Sequence, residues 1–212
     1  MGTPQARRHK KAIVREKNTD QIIRAAEEVF ALKGFAGATT QEIADKAGLP
    51  KANIHYYFKT KRELYIAVLE DIFKLWIDAS KTFDTSDDPK IALSQYIITK
   101  LRLSFDRPFG SKVWANEIIH DAPVIGDKLM DHLHVWENEK AVQIAQWVKE
   151  GKIRDVDPHY LLFMIWATTQ HYADFEYQIC VINGGKRLSR DQQKKVEENV
   201  CGIILRGIGL NV

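Results

Sequence analysis

The chain has 212 residues, of which 45% are hydrophobic and 28% charged, with a formal net charge of +3. That globular balance suits one or two domains and excludes a disordered tail-like polymer. The longest unbroken apolar run, Tyr160 to Ala167, is too short to span a membrane, and no apolar stretch follows the basic N-terminus, which excludes a secretory signal.

Cys180 and Cys201 are too few and too far apart for a disulfide framework or a cysteine-based zinc site, which fits a reducing cytoplasm. Charge is uneven along the chain. Residues 1–65 carry 13 Lys and Arg against 7 Asp and Glu, and the remainder carries 18 against 21. A basic first third on a mildly acidic body suits an end that meets a polyanion.

Helix signals recur along the whole chain and strand signals do not. Residues 1–17 read as a flexible basic arm. Asn18 and Gln21 have N-cap and N3 spacing, and Ile22, Ile23, Ala26, Val29 and Phe30 follow with a helical period. Gly34 ends that helix. Capping boxes stand at Thr39–Glu42, Thr60–Glu63 and Ser189–Gln192, and Asp88-Pro89 and Asp157-Pro158 place an N-cap before a first-turn proline. Breaks fall at Arg107–Gly110 and Asp121–Pro123.

One helix is expected from Thr60 to about Ser80. Another runs from about Asp127 to Gly151, with Trp136, Ala141, Ile144, Ala145 and Val148 turned inward. The last two are placed at about 158–182 and 191–208. The expectation is an all-α chain of about nine helices in three parts: the arm, a helix-turn-helix head over 18–62, and a helical bundle over 63–212.

Within the head, Gln41 to Phe58 carries the constraints of two short helices crossing at a tight turn. Ala44 is small at the crossing, Gly48 takes the unusual turn angle, and Ile43, Ala47, Leu49 and Ile54 form a shared core. The second helix then exposes Lys51, Ala52, Asn53, His55 and Tyr56, types that reach base edges and phosphates. The stretch Ile22 to Leu64 resembles the N-terminal domain of TetR-type bacterial transcription regulators. The residues that carry this are Gly34-Phe35, Thr39-Thr40, Ile43-Ala44, Ala47-Gly48, Tyr56-Tyr57-Phe58 and Lys61–Leu64.

That resemblance implies a homodimer, operator binding by the head and a small-molecule effector in the body. It also implies that Thr40, Lys51, Asn53, His55, Tyr56, Tyr57 and Lys61 face double-stranded DNA. An aromatic at Tyr57 equally suits the head's own core. The arm's Arg7, Arg8, Lys10, Lys11, Arg15 and Lys17 suit either phosphate contact or a solvated tail.

The body contains no nucleophile–base set, phosphate-cradling glycine loop or paired carboxylates, so no catalytic residue and no cofactor is expected. Glu117-Ile-Ile-His120 is half of a di-iron signature whose second half is missing, and His132 and His134 cannot share a helical face, so no metal is expected either. Trp166 and Gln170 lie one turn apart on an apolar helix, an aromatic plate beside an amide that suits a small planar polar molecule. Trp76, Lys100, Trp114, Asn116 and Glu117 are the candidates to close that site. The competing reading makes these tryptophans core filler.

Phe163 to Phe175, with thinner matches through Trp76, Tyr96, Lys100, Glu117, Ala122-Pro123, Trp147–Lys149 and Gly151-Lys152, resembles the pyrimidine-utilisation subgroup of TetR-type regulators. This implies a uracil- or thymine-like effector, or another small amide- or imide-bearing nitrogen compound. Val196, Val200, Ile203, Ile204 and Ile208 form a stripe expected to meet its own copy across a two-fold axis. The reading is therefore a dimeric regulator, expected to repress, whose grip on a palindromic operator is released by a small effector. A helical enzyme acting on a small nitrogen compound and an effector-free architectural DNA-binding protein are the competing classes.

Overall fold

The computed structural model describes residues 4–211, and all their regular elements are helices, eleven in number. The head comprises α1 (Pro4–Gly37), α2 (Thr40–Ala47) and α3 (Lys51–Tyr57). The connector α4 (Lys61–Ala79) leads into a body of α5 (Thr82–Thr85), α6 (Pro89–Asp106), α7 (Pro108–Ile119), α8 (Gly126–Lys149), α9 (Pro158–Asp174), α10 (Glu176–Ile182) and α11 (Arg190–Gly207). Two more helices are present than the nine expected. The four residues of α5 are too few to show a period. The stretch expected as one helix over 158–182 is broken at Phe175 (φ −109°, ψ 25°), where no glycine or proline signals a stop.

The arm expected to be flexible is helical from Pro4 and continuous with α1. Ala, Arg, Lys and Glu dominate it and nothing before Asn18 breaks a helix. Asn18 and Gln21 therefore cap nothing. Asn18 Nδ2 donates to the Tyr57 hydroxyl (3.1 Å) and Gln21 Nε2 to the Ala47 carbonyl (2.5 Å), which ties α1 to the other two head helices. Gly34 interrupts the helix as expected, at φ 69° and ψ 172°.

Thr39 and Glu42 close a reciprocal capping box on α2, and Ser189 and Gln192 do the same on α11. Gly48 ends α2 in the left-handed region (φ 63°, ψ 30°), which turns the chain into α3. Ile22, Ala26, Ile43, Ala44 and Ile54 are wholly buried where these helices cross.

Two apolar cores organise the molecule. The first runs without a break from the head through Leu64, Tyr65, Val68 and Ile72 of α4 to Val113 and Trp114 of α7. The connector therefore belongs to head and body together. The second joins α6, α8, α9 and α11 around Leu93, Ile97, Ile144, Leu162, Ile165 and Ile204. On α8 the inward set differs by one position from expectation: Ala145 is exposed and Trp147 is buried. The α11 stripe expected to meet a partner is also largely internal. Val200, Ile204 and Ile208 are buried in the second core, and only Ile203 stands out, at 64% exposure.

Candidate functional site

The head presents one open face. Lys51, His55 and Tyr56 of α3 are exposed, and Asn53 and Thr40 are half-buried. Tyr56 is 68% exposed although its ring packs edge-on against Tyr57. Two candidates are turned to other work. Tyr57 packs on the head's core and accepts the bond from Asn18, so its ring stabilises the α1–α3 crossing. Lys61 Nζ donates to the carbonyls of Ala38 (2.9 Å) and Ala36 (3.4 Å) and lies 4.7 Å from the Phe35 ring centroid. These carbonyls lie at the C-terminal end of α1, a favourable place for a cation.

A cavity with about 400 Å³ of empty space, counted out to its mouth, lies where the two cores meet. Five of the seven effector candidates line it: Trp76, Lys100, Trp114, Trp166 and Gln170. Phe73 and Ile77 join Trp76 from α4, Tyr96 joins Lys100 from α6, and Leu133 and Trp136 come from α8.

The aromatic walls are fixed against one another. Trp166 Nε1 donates to the Tyr96 hydroxyl at 2.9 Å and its ring stacks on Trp136 at 5.7 Å. Trp136 Nε1 in turn donates to Ser80 Oγ at 2.7 Å. Trp114 lies parallel to Phe73 and edge-on to Trp76. These contacts hold flat apolar surfaces in place before any ligand arrives.

Lys100 supplies the cavity's titratable amine. It is 2% exposed, and its Nζ sits 4.2 Å from the Trp76 ring centroid. Burial pushes its amine down to about 7, with nearby Asp174 opposing the shift. Asp174 is itself held by a 2.6 Å bond from Ser111. Between about pH 7 and 10.5 the folded chain therefore binds fewer protons at this group than the unfolded chain. Stability from this group rises with pH across that window, and its full cost is felt below it.

Lys100→Met removes that cost. It is expected to raise Tm at neutral pH, by about 2–4 °C for each kcal/mol recovered, and to flatten the stability gain at alkaline pH. Thermal denaturation across pH checks this, and an unchanged slope contradicts it.

Asn116 and Glu117 do not reach the cavity. Asn116 is exposed, and its carbonyl contacts His120 Nδ1 at 2.7 Å. Glu117 is buried behind the cavity wall. Its carboxylate accepts from the Tyr65 hydroxyl (3.0 Å) and from the backbone N–H groups of Val124 (2.7 Å) and Ile125 (2.9 Å). It thus clamps the turn between α7 and α8, where Asp121 and Ala122 have positive φ. Among the described residues, no group of three His, Cys, Asp or Glu side chains is placed to hold a metal ion. Of the wall residues not nominated from sequence, Phe73 stands one helical turn before Trp76, and Ile77 stands one turn after Phe73.

Residues 22–68 match the family profile described as bacterial regulatory proteins, tetR family, and residues 69–211 match the one described as YcdC-like protein, C-terminal region. The chain belongs to the TetR family. The HTH-type transcriptional regulator RutR of Escherichia coli K12 is 41% identical over 187 residues, 88% of each chain. Among solved structures, the TetR-family regulator PfmR of Thermus thermophilus superposes with a TM-score of 0.70 at 20% identity, covering 91% of this chain and 97% of its own. AibR, solved with isovaleryl coenzyme A and operator DNA, superposes with a TM-score of 0.64 at 16% identity, covering 88% and 97%. These two show the fold.

This TetR-family chain is a DNA-binding transcriptional regulator and not an enzyme. Among the described residues no helix is long and apolar enough to cross a membrane.

Proposed function

We propose that this regulator binds a palindromic operator as a homodimer and that a small planar polar effector, a pyrimidine such as uracil or thymine, controls its affinity. The cavity carries the reading. Its tryptophan walls suit a flat ring, and Gln170 and Lys100 offer donors and an acceptor at its edge. The resemblance of Phe163–Phe175 to pyrimidine-utilisation regulators supports the same ligand class.

The connector α4 links the two sites. It places Phe73, Trp76 and Ile77 in the cavity wall and Leu64, Tyr65 and Val68 in the head's core. An occupant that shifts α4 changes the pose of the head, by as much as its affinity differs between the two states. A thermal-shift titration tests this. Uracil or thymine is expected to raise Tm in proportion to the logarithm of its concentration above Kd. If neither these nor purines and small amides shift Tm, the cavity is not an effector site.

Dimerisation rests on an apolar surface spread over α9, α10 and α11. Phe163, Met164, Phe175, Tyr177, Val181, Ile182 and Ile203 are all at least 44% exposed there. Such a surface is characteristic of an association site. Two heads joined this way read half-sites about 34–36 Å apart. The double substitution Ile182→Glu/Ile203→Glu is expected to give a monomer with native helicity by light scattering and circular dichroism. A dimer that survives it places the interface elsewhere.

A further inference from the structure

The head is joined to the body by a buried ionic cluster as well as by the shared core. Glu27, on α1, is 3% exposed. Arg107, at the junction of α6 and α7, places Nη2 2.5 Å from Glu27 Oε2 and 2.8 Å from Asp71 Oδ2 on α4. Its Nε lies 3.2 Å from both Glu27 oxygens. Arg24 closes the ring from outside, 3.2 Å from Glu27 and 3.3 Å from Asp71. Gly110, in the first turn of α7, leaves room for this: a Cβ there would stand 2.8 Å from Glu27 Oε1. One guanidinium therefore ties the head, the connector and the α6–α7 junction together.

The same three body elements line the cavity. α4 supplies Phe73 and Trp76 shortly after Asp71, α6 supplies Tyr96 and Lys100, and α7 supplies Trp114. A relative shift of these helices prevents Arg107 from satisfying Glu27 and Asp71 together. A buried charge deprived of one partner is strongly disfavoured, so the cluster resists displacement of these helices from the observed arrangement.

We propose that the Glu27–Arg107–Asp71 cluster is the joint through which occupancy of the cavity reaches the DNA-binding head, with Arg107 as its positioning residue. The proposal rests on the reading of the cavity as an effector site. It assigns the coupling to a named charge cluster and not to the apolar core.

The experiment uses the full chain, uracil as probe and the duplex that the wild-type chain selects from a random pool. In the wild type, saturating uracil is expected to weaken duplex binding by roughly 5–150-fold, the usual range of such coupling. In Arg107→Gln that response falls below about twofold, while the uracil Kd by calorimetry stays within about twofold of wild type. Duplex affinity without uracil drops about tenfold because the head's angle is no longer fixed.

Asp71→Asn, at the more exposed end of the cluster, gives the same changes in smaller measure and serves if Arg107→Gln folds poorly. Glu27→Gln/Arg107→Gln is no worse than Arg107→Gln alone. A merely structural cluster predicts a lower Tm with the uracil response intact in either variant, and that result overturns the proposal. If uracil does not bind the wild type, the effector reading fails separately. The joint is then judged without ligand, and unchanged duplex affinity and hydrogen exchange of α1–α3 in Arg107→Gln overturn it.

Discussion

Trp166→Ala is expected to weaken effector binding by about 100-fold or more and to leave operator binding in place. The lost stacking surface alone is worth about 1–3 kcal/mol for a flat base. The indole also anchors the wall, through its bond to Tyr96 and its stack on Trp136. Removing it frees both neighbours and widens the cavity, so the ligand's remaining contacts loosen as well.

Trp166 is only half-buried, so the stability loss falls below the ~3–5 kcal/mol of a fully buried tryptophan, and the head's core is untouched. Gln170→Leu gives the same phenotype with little change in volume, since ligand polar groups left unpaired in a dry site cost about 1–3 kcal/mol each. Calorimetry of uracil binding with anisotropy of a labelled operator separates the two effects. A Trp166→Ala protein that still releases DNA at the wild-type effector concentration moves the site elsewhere.

Tyr56→Ala is expected to cost about 30-fold or more in operator affinity without altering Tm or effector binding. The side chain is the most exposed aromatic of α3 and contributes nothing to the buried head core. A contact to DNA is worth about 1–3 kcal/mol, and a dimer loses it in both half-sites. Tyr57→Ala should behave oppositely: its ring supports the α1–α3 crossing and receives the Asn18 bond, so its loss appears first as a lower Tm. Anisotropy at one fixed salt concentration and thermal denaturation distinguish the pair. Equal losses of affinity at unchanged Tm would show that Tyr57 also faces the duplex.

The contrast between Tyr56 and Tyr57 shows what could be read from the chain alone. Caps were legible because they act at fixed short spacing. Thr39 with Glu42, Ser189 with Gln192 and the Asp-Pro pairs at 88–89 and 157–158 all sit where the helices begin. The head was legible because a tight crossing permits few residues at Ala44, Gly48 and Ile54. The cavity was half legible, since Trp166 and Gln170 share a helical face at any packing.

The direction of a single polar side chain was not legible. Glu117 follows Trp114 by three residues, yet the left-handed turn at Asp121-Ala122 brings backbone N–H groups back over its carboxylate. Lys61 and Glu27 likewise find partners far away in sequence. The α11 stripe was recognised as apolar, but the same pattern suits an inner core and a partner subunit. Only packing against α6 decides that most of it is internal.

The most direct test is the affinity of the 212-residue chain for its selected operator, measured by anisotropy at constant ionic strength with and without saturating uracil. Preference for one palindrome over random duplex is expected, with a loss of roughly 5–150-fold in affinity when uracil is present. Binding that ignores sequence, or a sequence-specific complex that neither uracil nor thymine weakens while either one occupies the protein, would contradict this expectation.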